Sequence, residues 1–417
     1  MSTNANTATA ATTNNPDRPL SGVRVLAVEN FVAGPFASMW LADAGAEVVK
    51  VESRDGGDFA RGTTPVKSAE DGSVQSLSFL RNNRNKKSVT LDLKHPEGKR
   101  IFTQLACEAD IVLENLRPGV MDRLGIGYGA LREHNPRLIY VAISGFGHED
   151  VMPSPYTDYP AFDIIGQALS GLMYRPERQG DRPTYLGFSM TDLQGGILAA
   201  QGALLALYQR ERTGLGKKVD ISLYDASLVQ NEISVAMYSA FHKPAPPGLH
   251  AVTAPFGTFR ASDGYIVIAV LGDHIWQRFC HVIGMPALLE DARFQDGMAR
   301  SANSDALNPH IDAWLATRTR AEAVEALREG GVPASAVNDI ADVFECPHVA
   351  ARQMLMTLQD PAWGAVQVAG NPIKMSDTPE PEAGLPPRLG QHTDSVLGDW
   401  LHMNAQQLDA LHSSEVT

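Results

Sequence analysis

The run GVRVLAVENFVAGPFASMWLADAGAEVVKVE, residues 22–52, decides the fold class. Its opening, 22–28, is rich in β-branched and apolar residues and predicts a strand. Residues 35–44 begin on a proline, carry apolar side chains at helical spacing and stop at Gly45, and 47–51 predict a second strand. Outward from this unit the same grammar repeats. Strands are predicted over 88–93, 111–113, 138–143 and 217–223, and helices over 97–109 and 193–212. Alternating β and α segments predict an α/β fold, an open and largely parallel sheet with helices on both faces and ligand residues at the carboxyl ends of the strands.

Farther along, the segment 242–250, with Pro244, Pro246, Pro247 and Gly248, predicts a linker. Residues 256–270 hold two strand-like runs around Ser262-Asp263-Gly264, a hairpin signal. With helices near 275–283 and 320–329 they predict a smaller α+β unit. A Pro-rich stretch, 378–389, leads into one final short helix. The expected segmentation is a flexible tail over 1–18, a large domain over 19–228, a linker and small α+β domain over 229–350, and a segment returning to the large domain over 351–417.

The chain has 417 residues and a net charge of −13, which argues against nonspecific nucleic-acid binding and against docking on anionic membranes. Three cysteines, Cys107, Cys280 and Cys346, stand far apart without CxxC spacing, as expected of a reducing compartment. Residues 1–17 lack the basic and apolar regions of a signal peptide, and no apolar run reaches membrane-spanning length. The expected location is the cytoplasm.

Three constellations carry possible chemistry. Arg81, Arg84, Lys86 and Lys87, followed by Lys94, Arg117 and Arg123, form a basic run that reads either as a solvated loop or as a diphosphate grip. The first βα turn, Glu29 to Pro35, lacks the GxGxxG fingerprint of dinucleotide sites. Asp192 precedes a helical run and reads as a helix N-cap, in which position the first amides would hold its carboxylate ionised and ready as a nucleophile. Asp163, in FDIIGQ, reads as a lone structural aspartate or as an acidic partner. His148, in GHED, reads as an exposed loop residue. There is no HxxxH pair, and no metal site is expected; a GxSxG serine-hydrolase elbow is not present either.

With these residues in view, the chain resembles the class III CoA-transferases. The resemblance rests on LSGVRVL (20–26), AGP (33–35), LADAGAEVVKVE (41–52), Gly57-Asp58, NKKSVTLDLK (85–94), ENLRPG (114–119), NPRLIY (135–140), RTGLG (212–216), VDISL (219–223) and LGQHT (389–393), in order along nearly the whole chain. It implies a Rossmann-like large domain, a smaller domain and an interlocked homodimer. It also implies CoA transfer from an acyl-CoA, such as a dicarboxylyl-CoA, to a carboxylic acid, with CoA as a cosubstrate and no tightly bound cofactor. The nucleophile falls on Asp192, its acidic partner on Asp163, and CoA contacts on Val32, Ala33, Leu91, Lys94, Asn115, Leu116 and Arg123. Amides near Gly195-Gly196 would stabilise the oxyanion.

Two departures set the chain apart from particular members. Formyl-CoA:oxalate transferases carry a glutamine where Val32 stands and a glycine run that 248–258 lacks. The α-methylacyl-CoA racemases, the alternative activity on this fold, carry a histidine where Phe162 stands, and a two-base exchange would lack its imidazole.

Overall fold

The structure, a computed structural model, describes residues 18–174, 182–243, 253–381 and 383–417. The tail over 1–17 and most of the proline-rich linker lie outside these residues.

The apolar runs of the sequence become six parallel strands: β1 (Arg24–Val28), β2 (Glu47–Glu52), β5 (Lys86–Thr90), β6 (Ile111–Glu114), β7 (Ile139–Ser144) and β8 (Lys218–Ser222). A short antiparallel pair, β3 (Val66–Ser68) and β4 (Val74–Ser76), lies between β2 and β5 in sequence. The six strands are ordered β5-β2-β1-β6-β7-β8, so the winding direction reverses beside β1. Residues pair in register from Val25 with Val48 and Ile111 to Ser144 with Ser222.

Up to residue 230, the described residues place eight helices about this sheet: α1 (Ala33–Asp43), α2 (Leu77–Leu80), α3 (Pro96–Glu108), α4 (Val120–Arg123), α5 (Tyr128–His134), α6 (Asp163–Leu169), α7 (Met190–Thr213) and α8 (Leu223–Gln230). Successive strand residues point to opposite faces, and both faces are covered. Leu26, Val28, Val49 and Val51 join α3 and the helix Thr393–Leu401 in one core. Val25, Ala27 and Val48 join α1 and α7 in the other. The expected parallel sheet with helices on both faces is therefore what forms.

The edge of β5 is covered by the LGQHT motif. Ser88 exchanges hydrogen bonds with His392, its amide donating to Nδ1 at 3.2 Å and its carbonyl accepting from the His392 amide at 2.9 Å, while Thr90 N donates to Thr393 Oγ1 at 3.1 Å. These contacts satisfy backbone groups that an open edge would leave to other chains.

The described residues form two compact units. One holds the parallel sheet and comprises the chain up to Leu172, Tyr185–Asn231 and Ala351–Thr417. The other centres on Glu232–Ala350, where β9 (Phe256–Ala261) and β10 (Gly264–Ala269) form the expected hairpin and β11 (Ala334–Ala336) extends it to a three-stranded sheet. Near the C-terminus there are two helices, Thr393–Leu401 and Ala405–Ser413, rather than the single one expected. Asn404 starts the second through a capping box with Gln407.

Candidate active site

The reversal of winding beside β1 opens a crevice at the carboxyl ends of β1 and β6, where open α/β sheets place ligands. The turn leaving β1 is braced from three sides. Phe31 adopts a left-handed conformation, φ 68°, with its amide donated to Asp58 Oδ1 at 3.0 Å. Asn115 Oδ1 accepts from Asn30 N, and Asn115 Nδ2 donates to Asn30 O, both at 2.8 Å. Beneath the turn lies a buried ionic cluster. Lys86 Nζ reaches Glu29 Oε1 and the Pro35 carbonyl, each at 2.8 Å, and Lys50 Nζ reaches Asp58 Oδ2 at 2.8 Å. Burial pulls Lys86 down to about 8, with Glu29 opposing it.

This corrects one reading of the basic run. Arg84 forks onto Asp43, Lys86 is enclosed with Glu29, and Lys87 pairs with Glu47 at 2.6 Å. Three of its four cations are thus spent inside the protein and grip no diphosphate. Their partner acids all lie in residues 22–52, and the charges hold β1, β2 and β5 together. Arg81 alone of the four is exposed and makes no ion pair or side-chain hydrogen bond with a described residue.

The seven positions expected to contact CoA follow the carboxyl ends of β1, β5 and β6, with β2 between β5 and β1. Val32 is the N-cap of α1 and Ala33 its first residue, both buried. Leu91 is buried just past β5, and Lys94 is exposed three residues on. Asn115 and Leu116 follow β6, and Arg123 is exposed at the end of α4, with Nη1 close to where a Gly119 Cβ would stand. Asn115 also has a task that sequence spacing hides, since both ends of its amide are committed to the Asn30 backbone.

Helix α7 begins at Met190, three residues before the expected start, so Asp192 occupies its first turn rather than its N-cap. Asp163, the first residue of α6, takes over the capping. Its Oδ1 accepts from Thr191 N at 2.7 Å and Asp192 N at 3.3 Å, and its Oδ2 accepts from Gln167 Nε2 at 2.7 Å. Gln167 in turn donates to the Phe188 carbonyl and accepts from Leu186 N, which fixes the approach to α7.

Asp192 is left with a carboxylate that accepts no hydrogen bond from a described residue, although only 9% of the residue is exposed. Burial first, and then the charge of Asp163, raise it to about 7, with Arg81 pulling the other way. The expectation that the first amides hold Asp192 ionised is therefore overturned, because Asp163 receives them. A carboxylate without hydrogen bonds and reluctant to ionise is a stronger nucleophile, once ionised, than one saturated with donors.

Gly195 and Gly196 lie beyond the first turn of α7, and their amides belong to the helical ladder, which removes them from the expected oxyanion role. They serve close packing instead. A Cβ on Gly196 would stand 2.9 Å from the Ala33 carbonyl and 3.1 Å from Phe36, so this glycine lets the start of α7 press against the start of α1. Tyr185, which nothing in the sequence singles out, is largely exposed; partial desolvation, and then the fields of Asp163 and Asp192, raise its phenol. Phe162 is 73% exposed, and Asp192 feels charge from Asp163 and Arg81 rather than from any histidine.

Comparison with known proteins now decides the assignment. The model of CoA-transferase family III matches residues 20–393. The chain belongs to CoA-transferase family III. Among its relatives, a succinyl-CoA:mesaconate CoA-transferase of Haloarcula hispanica is 39% identical over 91% of this chain and 96% of its own. An acetyl-CoA:oxalate CoA-transferase of Acetobacter aceti is 38% identical over 91% and 95%. A CAIB/BAIF family protein from Brucella suis shares the fold at a TM-score of 0.80, with 32% identity over 92% of this chain and 99% of that one. This family III enzyme transfers CoA between acyl-CoA and carboxylic acids.

If Asp192 acts as the nucleophile its ionised form is the one that reacts, and kcat/KM should then rise with pH through a transition near 7. The increase from pH 6 to pH 8 should be about tenfold. Initial rates across that range check it, and a flat profile contradicts it.

His148 is a second correction. It is buried rather than exposed, with Nδ1 2.7 Å from Asp220 Oδ1 and Nε2 3.6 Å from Glu114 Oε1. Burial opposes its charge, but the two carboxylates prevail and raise it to about 9. The sign follows from the raised pKa. The stabilisation is complete below the ordinary histidine value of 6.5 and disappears as pH climbs through about 9. Urea denaturation should lose on the order of 3 kcal/mol over that interval, and His148→Gln should flatten the dependence.

Proposed function

We propose that the enzyme moves CoA from a dicarboxylyl-CoA, succinyl-CoA being the first candidate, to a carboxylic acid through a covalent intermediate on Asp192. The observation that carries the reading is the division of labour at the start of α7. Asp163 takes the helix amides, and Asp192 is left buried with a carboxylate that accepts no hydrogen bond from a described residue. The names of the relatives favour dicarboxylates: besides the mesaconate enzyme, a succinyl-CoA–L-malate CoA-transferase β subunit of Chloroflexus aurantiacus is 34% identical over 95% of this chain.

In the first half-reaction an Asp192 carboxylate oxygen attacks the thioester carbonyl, the C–S bond breaks, and a mixed anhydride and CoA thiolate result. The thiolate attacks the aspartyl carbonyl, forming aspartyl-CoA and releasing the donor acid as its carboxylate. The acceptor carboxylate then attacks aspartyl-CoA and expels the thiolate, which takes up the acceptor's acyl group and leaves Asp192 a carboxylate again. Activation passes from one carboxyl to another, so no net proton or phosphoanhydride is consumed. Water must be kept from the anhydride.

The CoA-contacting set in this proposal is Val32, Ala33, Leu91, Lys94, Asn115, Leu116 and Arg123, with the last turn of α4 and Lys94 offering exposed cations for the phosphates. The strand order supports a Rossmann-like description of the larger unit. A homodimer is supported by exposed apolar residues of α7 and α8, Leu205, Tyr208 and Val229, which a partner would cover. No described helix is long and apolar enough to cross a membrane, and the cytoplasm is the proposed location.

The test is a matrix of acyl-CoA donors against carboxylate acceptors, with CoA esters followed by mass spectrometry. Formation of a new CoA ester that depends on both donor and acceptor supports the reading. Deuterium entering the α-carbon of a 2-methylacyl-CoA, with no CoA exchange under any pairing, would favour the racemase.

A further inference from the structure

Helix α7 has no cap of its own. Ser189, its N-cap, makes no side-chain hydrogen bond to the helix, and the chain reaches it through Gly187 in a left-handed conformation, φ 84°. The amides that a local side chain would ordinarily take are held from α6 instead, and Asp163 is only half of that hold. Gln167 stands one turn beyond Asp163 on the same face of α6 and is fully buried. Its Nε2 donates to Asp163 Oδ2 at 2.7 Å and to the Phe188 carbonyl at 3.0 Å, and its Oε1 accepts from Leu186 N at 3.3 Å. Gly166 lets the two helices close up, since a Cβ there would stand 2.7 Å from Thr191 Cγ2.

Both amide hydrogens and one oxygen lone pair of Gln167 are thereby in use. A carboxylate and a carbonyl accept while a backbone amide donates, so turning the side-chain amide over would set oxygen against oxygen twice. Its three partners lead to the nucleophile from two sides. With Oδ2 held, Asp163 presents Oδ1 to Thr191 N and Asp192 N. The Phe188 carbonyl also accepts from Met190 N at 2.8 Å, and Met190 is the first residue of α7. Leu186 N secures the chain on the near side of Gly187. The backbone of Asp192 is thus clamped through one buried amide that makes no hydrogen bond with Asp192 itself.

The reaction asks more of this clamp than the fold does. A helix start supports stability over a range of small displacements. Covalent transfer requires the same carboxyl carbon to meet an acyl group and a thiolate in turn, with its place held to about 0.5 Å. We propose that Gln167 is a positioning residue of the transfer reaction, holding the Asp192 carboxylate in its reactive place by locking Asp163 and the segment 186–188 together. The inference rests on the covalent reading and deepens it, since it assigns part of the site's rate to a residue outside the reacting groups. Gln167 lies on α6, whereas the positions proposed for CoA follow β1, β5 and β6, so its loss should lower kcat and leave KM for the CoA ester unchanged.

The test measures kcat and KM for succinyl-CoA with a common acceptor in the full-length enzyme, Gln167→Leu and Gln167→Glu, with thermal melting at each pH to establish that the proteins are folded. In Gln167→Leu, which keeps the bulk and loses all three hydrogen bonds, kcat should fall about 100-fold, the loss that follows a displacement of about 1 Å. Gln167→Glu sets an acid against Asp163 Oδ2 and the Phe188 carbonyl, with Asp192 and Tyr185 the other titrating groups in the field of Asp163. Its contact with Asp163 survives only while a proton lies between the two carboxyls, because like charges at that distance repel. Gln167→Glu should therefore retain much of the wild-type kcat at pH 6, and the ratio of the two should fall about tenfold by pH 9. A folded Gln167→Leu with wild-type kcat, a loss carried by KM instead, or a Gln167→Glu ratio that stays level with pH would each overturn the inference. If Gln167→Leu does not fold, the Gln167→Glu ratio decides. A Gln167→Glu protein that is unfolded even at pH 6 overturns it as well, since the fold would then need the residue before the site does. Wild-type enzyme that transfers CoA with no hydroxylamine-trapped adduct on Asp192 would instead remove the covalent reading on which it rests.

Discussion

Asp192→Asn should reduce CoA transfer by about 10⁴-fold or more, the loss typical of removing a covalent nucleophile. The amide keeps the shape of the side chain and can form no anhydride. Its effect on the fold should be small, because the Asp192 carboxylate accepts no hydrogen bond from a described residue and its buried charge opposes folding once ionised. The variant should therefore melt at or above the wild-type temperature near neutral pH while failing to turn over. Retention of even a hundredth of wild-type activity by a folded variant would place the chemistry elsewhere.

Asp163 should behave in the opposite way, with stability and activity falling together. Its carboxylate serves Thr191 N, Asp192 N and Gln167 Nε2, three donors from two segments. Asp163→Ala leaves them without that acceptor, at a cost of about 3 kcal/mol or more. The start of α7 should loosen, and displacement of the nucleophile by about 1 Å is enough for a loss near a hundredfold. Asp163→Asn separates the two roles, because it keeps an acceptor for the α7 amides while removing the charge. The charge of Asp163 raises Asp192, so this variant should move the acid limb of the pH–rate profile to lower pH. An acid limb that stays at the wild-type position would show that Asp163 does not set the ionisation of Asp192.

What the sequence discloses and what it withholds divide along the range of the interactions. The strands of the larger sheet were legible because a parallel sheet is buried on both faces, so that Val25-Leu26-Ala27-Val28 must be apolar throughout. The turn at Ser262-Asp263 and the stop of α1 at Gly45, φ 101°, are equally local. The start of α7 was misplaced because its cap, Asp163, lies on a different helix, and no residue near Met190 announces it. The burial of His148 is hidden for the same reason, since Asp220 is 72 residues away. The partners of Arg84, Lys86 and Lys87 are also distant in sequence, and charge alone cannot tell a buried pair from a phosphate grip. The last helix is different. The capping box of Asn404 and Gln407 is a local signal that the sequence carries in full. For the site itself, both aspartates stand out in the sequence and resemblance assigns their roles, while the unequal sharing of amides between them emerges only in three dimensions.

A covalent bond on Asp192 can be looked for chemically. The enzyme is mixed with succinyl-CoA without an acceptor, quenched with hydroxylamine, digested and sequenced by mass spectrometry. The expected product is a hydroxamate on Asp192, formed only when the CoA ester is present and absent from Asp192→Asn. A hydroxamate on Asp163 or another residue, or full turnover with no trapped adduct on Asp192, would contradict it.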